Sequence, residues 1–137
     1  MSDPRAFISF DFDNNENHKR LFAGQCSGKS PTPFSAQDWS SKRALPQREW
    51  EDLIFEKIGR CHMMFVLVSP TAHTATGVAK EINMAIEQDV PFCGVYIDGA
   101  NASTPLPAGL KRNRTVGWDW NKIADAVDTM MQEGKNA

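Results

Sequence analysis

The chain has 137 residues, 41% of them hydrophobic, and a formal net charge of −2, which suits one domain that buries roughly two-thirds of its unfolded surface. With 15 Lys and Arg against 17 Asp and Glu, and no basic stripe, nucleic acid is not an expected partner. Cys26, Cys61 and Cys93 lack Cys-x-x-Cys spacing, and no apolar run nears the ~20 residues of a membrane span, so reduced thiols, no zinc knuckle, no membrane segment and a cytoplasmic setting are expected.

Ala6-Phe7-Ile8-Ser9-Phe10 is a short apolar run with aromatics, expected as a central strand that the Asp11-Phe12-Asp13-Asn14-Asn15 cluster stops. A helical stretch from about Asn17 to Ala23 presents Leu21 and Phe22. Gly, Ser and Pro residues make a loop from Gly24 to Pro33, and Phe34-Ser35-Ala36 is a weak second strand. Trp50, Leu53, Ile54, Lys57 and Ile58 recur at i, i+3, i+4, i+7 and i+8, with Pro46 before them and Gly59 after, which predicts a second helix.

Met63 to Val68 is continuously apolar, as strands covered on both faces are. Val78, Ile82, Ala85 and Ile86 mark a third helix that ends before Asp89-Val90-Pro91. Phe92 to Ile97 is a fourth strand, Asp98 to Asn113 a long loop with one helical turn near Leu110, and Thr115 to Trp118 a short fifth strand. Ile123, Val127 and Met130 give the last helix its stripe. Strands alternating with helices predict one domain over residues 1–137, an α/β three-layer sandwich of flavodoxin-like type with a five-stranded parallel sheet in the order 2-1-3-4-5. The switch point then lies between strands one and three, and the loops after Phe10 and Val68 face each other across the ligand crevice.

Ala23-Gly24-Gln25-Cys26-Ser27-Gly28-Lys29-Ser30 ends like a phosphate-binding loop, but its first glycine is one place late, it follows a helix, and Pro31 and Pro33 block the helix a phosphate would need. A phosphoacceptor receiver has the same fold and could use Asp11 and Asp13. It would also need an aspartate where this chain has Val68-Ser69-Pro70, and a lysine closing strand five.

His18, His62 and His73 share no metal-ligand spacing, so no metal is expected; only His73 overhangs the crevice, in the Ser69 to Gly77 loop, where it is a substrate-contact candidate. Glu81 lies near the start of the third helix, where an acid gains roughly 0.3 to 1 kcal/mol from the macrodipole. The residue three before it is Val78, so no capping box explains it. It borders the apolar stripe, away from the more outward Lys80 and Glu87, and structural and functional roles remain equally open.

Arg5-Ala6-Phe7-Ile8-Ser9-Phe10, the Trp50 helix, Phe65-Val66-Leu67-Val68-Ser69, Lys80-Glu81-Ile82 and Gly94-Val95-Tyr96-Ile97-Asp98 together resemble, in order and spacing, the TIR-like domains of Thoeris antiphage systems, the ThsB type. The resemblance implies an enzyme that takes NAD as substrate, needs no cofactor, and cleaves the nicotinamide-ribose bond. The product is an ADP-ribose signal, often cyclic, that activates a separate nucleotide-sensing effector. It implies Glu81 as the catalytic carboxylate, stabilising an oxocarbenium-like ribose while nicotinamide departs neutral.

Around Glu81 the expected substrate-binding residues are Phe10, Asp11, Trp39, Ser69 and His73. Each of the first four also has a structural role open to it: core for Phe10, turn for Asp11, loop packing for Trp39, cap or turn for Ser69. The chain departs from the family pattern at Thr76-Gly77-Val78-Ala79, where a Trp is common. A non-catalytic TIR-like interaction module and a nucleoside deoxyribosyltransferase-like enzyme are the alternatives. The identity of the product, the trigger and the oligomeric state, with a homo-oligomer as one option, are not encoded legibly in the residue string.

Overall fold

A computed structural model of the chain describes residues 4–12, 14–37 and 46–134. Five strands form one parallel sheet: β1 (Arg5–Ser9), β2 (Ser35–Gln37), β3 (Met63–Val68), β4 (Phe92–Tyr96) and β5 (Thr115–Val116), in the order β2-β1-β3-β4-β5. The expected strand order is the observed one. Helices α1 (Glu16–Gln25), α2 (Gln47–Arg60), α3 (Thr76–Glu87) and α4 (Trp120–Glu133) alternate with the strands. No helix among the described residues is long and apolar enough to cross a membrane.

All six residues of β3 are buried, because the sheet is covered on both faces and β3 is its centre. On one face, Ala6, Ile8 and Phe10 meet Phe22 of α1, Cys26 just after it, and Ile123, Val127 and Met130 of α4. On the other, Phe7, Val66 and Val68 meet Trp50, Ile54 and Ile58 of α2 and Val78, Ile82 and Ala85 of α3. Side chains alternate across a strand, so β1 sends its even-numbered residues to the first layer and Phe7 to the second. Phe22 anchors the first layer, with ring centroids 5.7 Å from Phe65 and Trp118 and 5.3 Å from Trp120.

The helix ends follow local chemistry. Asp119 caps α4 by accepting from the backbone N–H groups of Asn121 and Lys122. Glu49 in the first turn of α2, and Lys57 and Arg60 in its last, complement the helix dipole. Gly94 of β4 is required by close packing: a Cβ there would lie 2.8 Å from Leu110 and 2.9 Å from Thr115.

Some expected details shift. β1 begins and ends one residue earlier than expected, and β5 stops at Val116. The helical turn expected near Leu110 lies at Arg112–Arg114. Leu21 is 56% exposed and Ile86 51%, so neither belongs to the buried stripe of its helix. In α1 only Lys19 and Phe22 face the sheet. Asp13 and Trp39 lie outside the described residues.

Candidate functional site

β1 and β3 are neighbours, while β2 lies on the far side of β1 and β4 on the far side of β3, so the chain leaves these two strand ends in opposite directions. Such a divergence opens a crevice at the carboxyl edge of a parallel sheet. Here the two loops meet through side chains: Thr71, after β3, donates from Oγ1 to Asp11 Oδ2, after β1, at 2.7 Å.

Glu81 comes to this edge from α3. It lies in the second turn, beyond the first turn where the macrodipole acts, and the helix has Ala75 as its N-cap with no side-chain cap bond. Both local explanations for an acid therefore weaken. The carboxylate is fully buried on the sheet-facing side of α3, beside Val78, Ile82 and Ala85. Ser9, the last residue of β1, donates from Oγ to Glu81 Oε1 at 2.6 Å, and it too is buried. A buried acid is tolerated only with hydrogen-bond partners, and Ser9 supplies one.

Asp11 points to the same side, two residues beyond Ser9. Its backbone carbonyl, not its carboxylate, makes the turn, accepting from the N–H groups of Asn14 at 3.2 Å and Asn15 at 2.8 Å. The carboxylate instead takes two side-chain donors on Oδ2: Thr71 Oγ1 and Asn14 Nδ2, each at 2.7 Å. A turn-forming aspartate normally spends its carboxylate on nearby backbone N–H groups. Asp11 does not.

The remaining expected residues separate. Ser69 is buried and its Oγ accepts from the Thr71 backbone N–H at 3.4 Å, a local turn contact. Phe10 is buried in the aromatic layer, stacked on Phe12 with centroids 5.4 Å apart. His73 is exposed in the short turn Ala72–Thr74, and no hydrogen bond joins it to Asp11 or Glu81 among the described residues. Thus Glu81 and Asp11 come to one edge, Ser69 and Phe10 support it from below, and His73 stands apart.

Other polar residues gather at this edge without having been singled out in the sequence. Asn15, fully buried, places Nδ2 3.2 Å from both Asp98 Oδ2 and His18 Nδ1, while its Oδ1 has no hydrogen-bond partner among the described residues. Asp98 follows β4 with a positive φ of 54°. Lys19 is almost fully buried, its Nζ 5.7 Å from the centroid of the Phe10 ring. Ser9 was legible in principle: a hydroxyl inside an apolar strand, at the same parity as Asp11, had to find a partner.

Several known proteins are similar to this chain. The family described as Thoeris protein ThsB, TIR-like domain, matches residues 7–102. A prokaryotic SEFIR domain solved by crystallography superposes with a TM-score of 0.55 at 18% identity, covering 96% of this chain and 99% of that one. The TIR domains of the activated Roq1 resistosome, a resistosome directly recognizing the pathogen effector XopQ, give a TM-score of 0.47 at 18% identity, over 74% of this chain and 61% of that one. No curated protein matches the chain. The SEFIR likeness agrees with the α/β fold, and the match across most of the chain places it in a family: the chain belongs to the ThsB TIR-like domains of Thoeris systems.

Proposed function

We propose that this domain cleaves the nicotinamide-ribose bond of NAD in the cytoplasm and releases an ADP-ribose product, linear or cyclic, that acts on a separate antiphage effector. The observation that carries this reading is the buried Glu81 carboxylate, held by Ser9 at the carboxyl edge of β1 beside the crevice. Fold alone does not carry function, so the reading rests on this site together with the family.

The chemistry asks little beyond one oriented carboxylate. As the glycosidic bond lengthens, positive charge moves from the pyridinium to the ribose, and nicotinamide leaves neutral without a general acid. Glu81 accepts a hydrogen bond from a ribose hydroxyl and offsets the charge growing on the ring, an effect strengthened where water is excluded. Ser9 fixes one carboxylate oxygen and so the direction of the other. Water attacking the ribose carbon gives ADP-ribose and a proton. A nucleophilic atom of the same nucleotide attacking instead gives a cyclic product.

A second reading, a non-catalytic interaction module, is favoured by one observation: Glu81 has no solvent exposure, and its bond to Ser9 ties α3 to β1 as a purely structural acid would. Nicotinamide release from NAD separates the two. The assay compares wild type with Glu81→Gln, alone and with extract from phage-infected cells as trigger. Glu81→Gln keeps the size and an acceptor oxygen, and is expected to lower the rate by about 100-fold or more. Triggered wild type that releases no nicotinamide favours the interaction module, whereas an equally active Glu81→Gln removes Glu81 from the reaction.

A further inference from the structure

Asp11 has its two carboxylate oxygens in different situations. Oδ2 takes both the Thr71 hydroxyl and the Asn14 amide, each at 2.7 Å, while Oδ1 accepts no hydrogen bond among the described residues. Asp11 also keeps 6% exposure where Glu81 keeps none. Thr71 is exposed at the start of the loop after β3, where a hydroxyl would ordinarily be satisfied by water. Its bond to Asp11 is a short one to a carboxylate, of the stronger charge-assisted kind. Ser69 Oγ, 3.4 Å from Thr71 Oγ1 and accepting from the Thr71 backbone N–H, fixes the Thr71 side from below.

We propose that Thr71 is a positioning residue: by holding Oδ2 it fixes the Asp11 carboxylate so that Oδ1 accepts the hydroxyls of a ribose diol on the bound nucleotide. A carboxylate free to rotate would lose that preorganisation, and the ligand would supply the ordering itself. The inference rests on the nucleotide reading above and extends it to a residue on the opposite loop. Asp11 binds; Thr71 acts only through it.

The test is the affinity of the full chain for ADP-ribose, measured by calorimetry for wild type, Thr71→Val, Thr71→Ser, Asp11→Asn and the Thr71→Val/Asp11→Asn double variant. Thr71→Val keeps the shape and removes the hydroxyl, and it is expected to weaken binding about tenfold, with Thr71→Ser restoring most of it. Because both residues act on one contact, the double variant is expected to be no weaker than Asp11→Asn alone. Thr71→Val binding like wild type, losses that multiply in the double variant, or wild type that does not bind ADP-ribose, each overturn the proposal.

Nicotinamide release, followed on the same preparations, keeps the two readings apart. Cleavage by wild type with unchanged ADP-ribose affinity in Thr71→Val sinks the positioning role alone. An affinity loss in Thr71→Val without any cleavage supports the positioning role and counts against the proposed reaction.

Discussion

Ser9 Oγ donates a 2.6 Å hydrogen bond to Glu81 Oε1, joining residues 72 apart in sequence, both without solvent exposure. The bond connects the end of β1 to the second turn of α3, two elements that otherwise meet through Phe7, Val78, Ile82 and Ala85. A polar link inside that layer is costly to break, since it takes a hydrogen bond from a carboxylate that no solvent reaches.

Ser9→Ala is therefore expected to destabilise the domain by about 1 to 3 kcal/mol and to slow nicotinamide release, because Glu81 loses its orienting donor. Urea unfolding and the NAD assay check the two effects together. Unchanged unfolding in Ser9→Ala would mean that Glu81 does not depend on this bond.

The pH dependence of stability has two limbs. Burial, and then the Arg5 charge, lower the His62 pKa below its ordinary 6.5, and its Nδ1 accepts from the Arg5 backbone N–H at 3.0 Å. The folded pKa is the lower one, so this contribution is complete above pH 6.5 and is lost as pH falls through the folded value. At the alkaline end, burial pushes the Cys61 and Cys93 thiols from 9.0 to about 11, against the opposing pull of nearby Arg5 and Arg114 respectively. These two folded pKa values are the higher ones, so stability is undiminished below pH 9 and falls between about pH 9 and 11. Thermal unfolding across pH is expected to show both limbs. His62→Gln flattens the acid limb, Cys61→Ala the alkaline one; profiles unmoved by these changes would assign the limbs to other groups.

Leu21 and Phe22 make a contrast within one helix. Phe22 is fully buried among four aromatic rings, while Leu21 faces solvent. Leu21→Lys is expected to change stability by less than about 0.5 kcal/mol, and Phe22→Ala to cost about 3 to 5 kcal/mol. Denaturant midpoints decide it, and a large loss in Leu21→Lys would show that the exposed leucine is covered in solution.

The fold was legible because its signals are long-range in pattern and local in chemistry: a fully apolar β3, α2 with Trp50, Ile54 and Ile58 at helical spacing, and α4 with Ile123, Val127 and Met130. Leu21 and Phe22 are about 100° apart on α1 and only Phe22 turns to the sheet, while the other buried residue of the helix is a lysine, Lys19, which apolar periodicity passes over. At the site, Glu81 was visible as an acid lacking a capping partner. Thr71 and Asn15 were not, since their partners lie 60 and 83 residues away and only the tertiary fold brings them together.

The alternation along β1 has a consequence for what changes the domain tolerates. Phe7, Ser9 and Asp11 share one parity, Ala6, Ile8 and Phe10 the other. Inserting or deleting a single residue within this strand would exchange the two sets, setting the Phe10 ring against Glu81 and the Ser9 hydroxyl among the aromatics. Length variation is thus confined to the connections, such as the stretch between Asp98 and Arg112. The first strand can change its letters, but not its count.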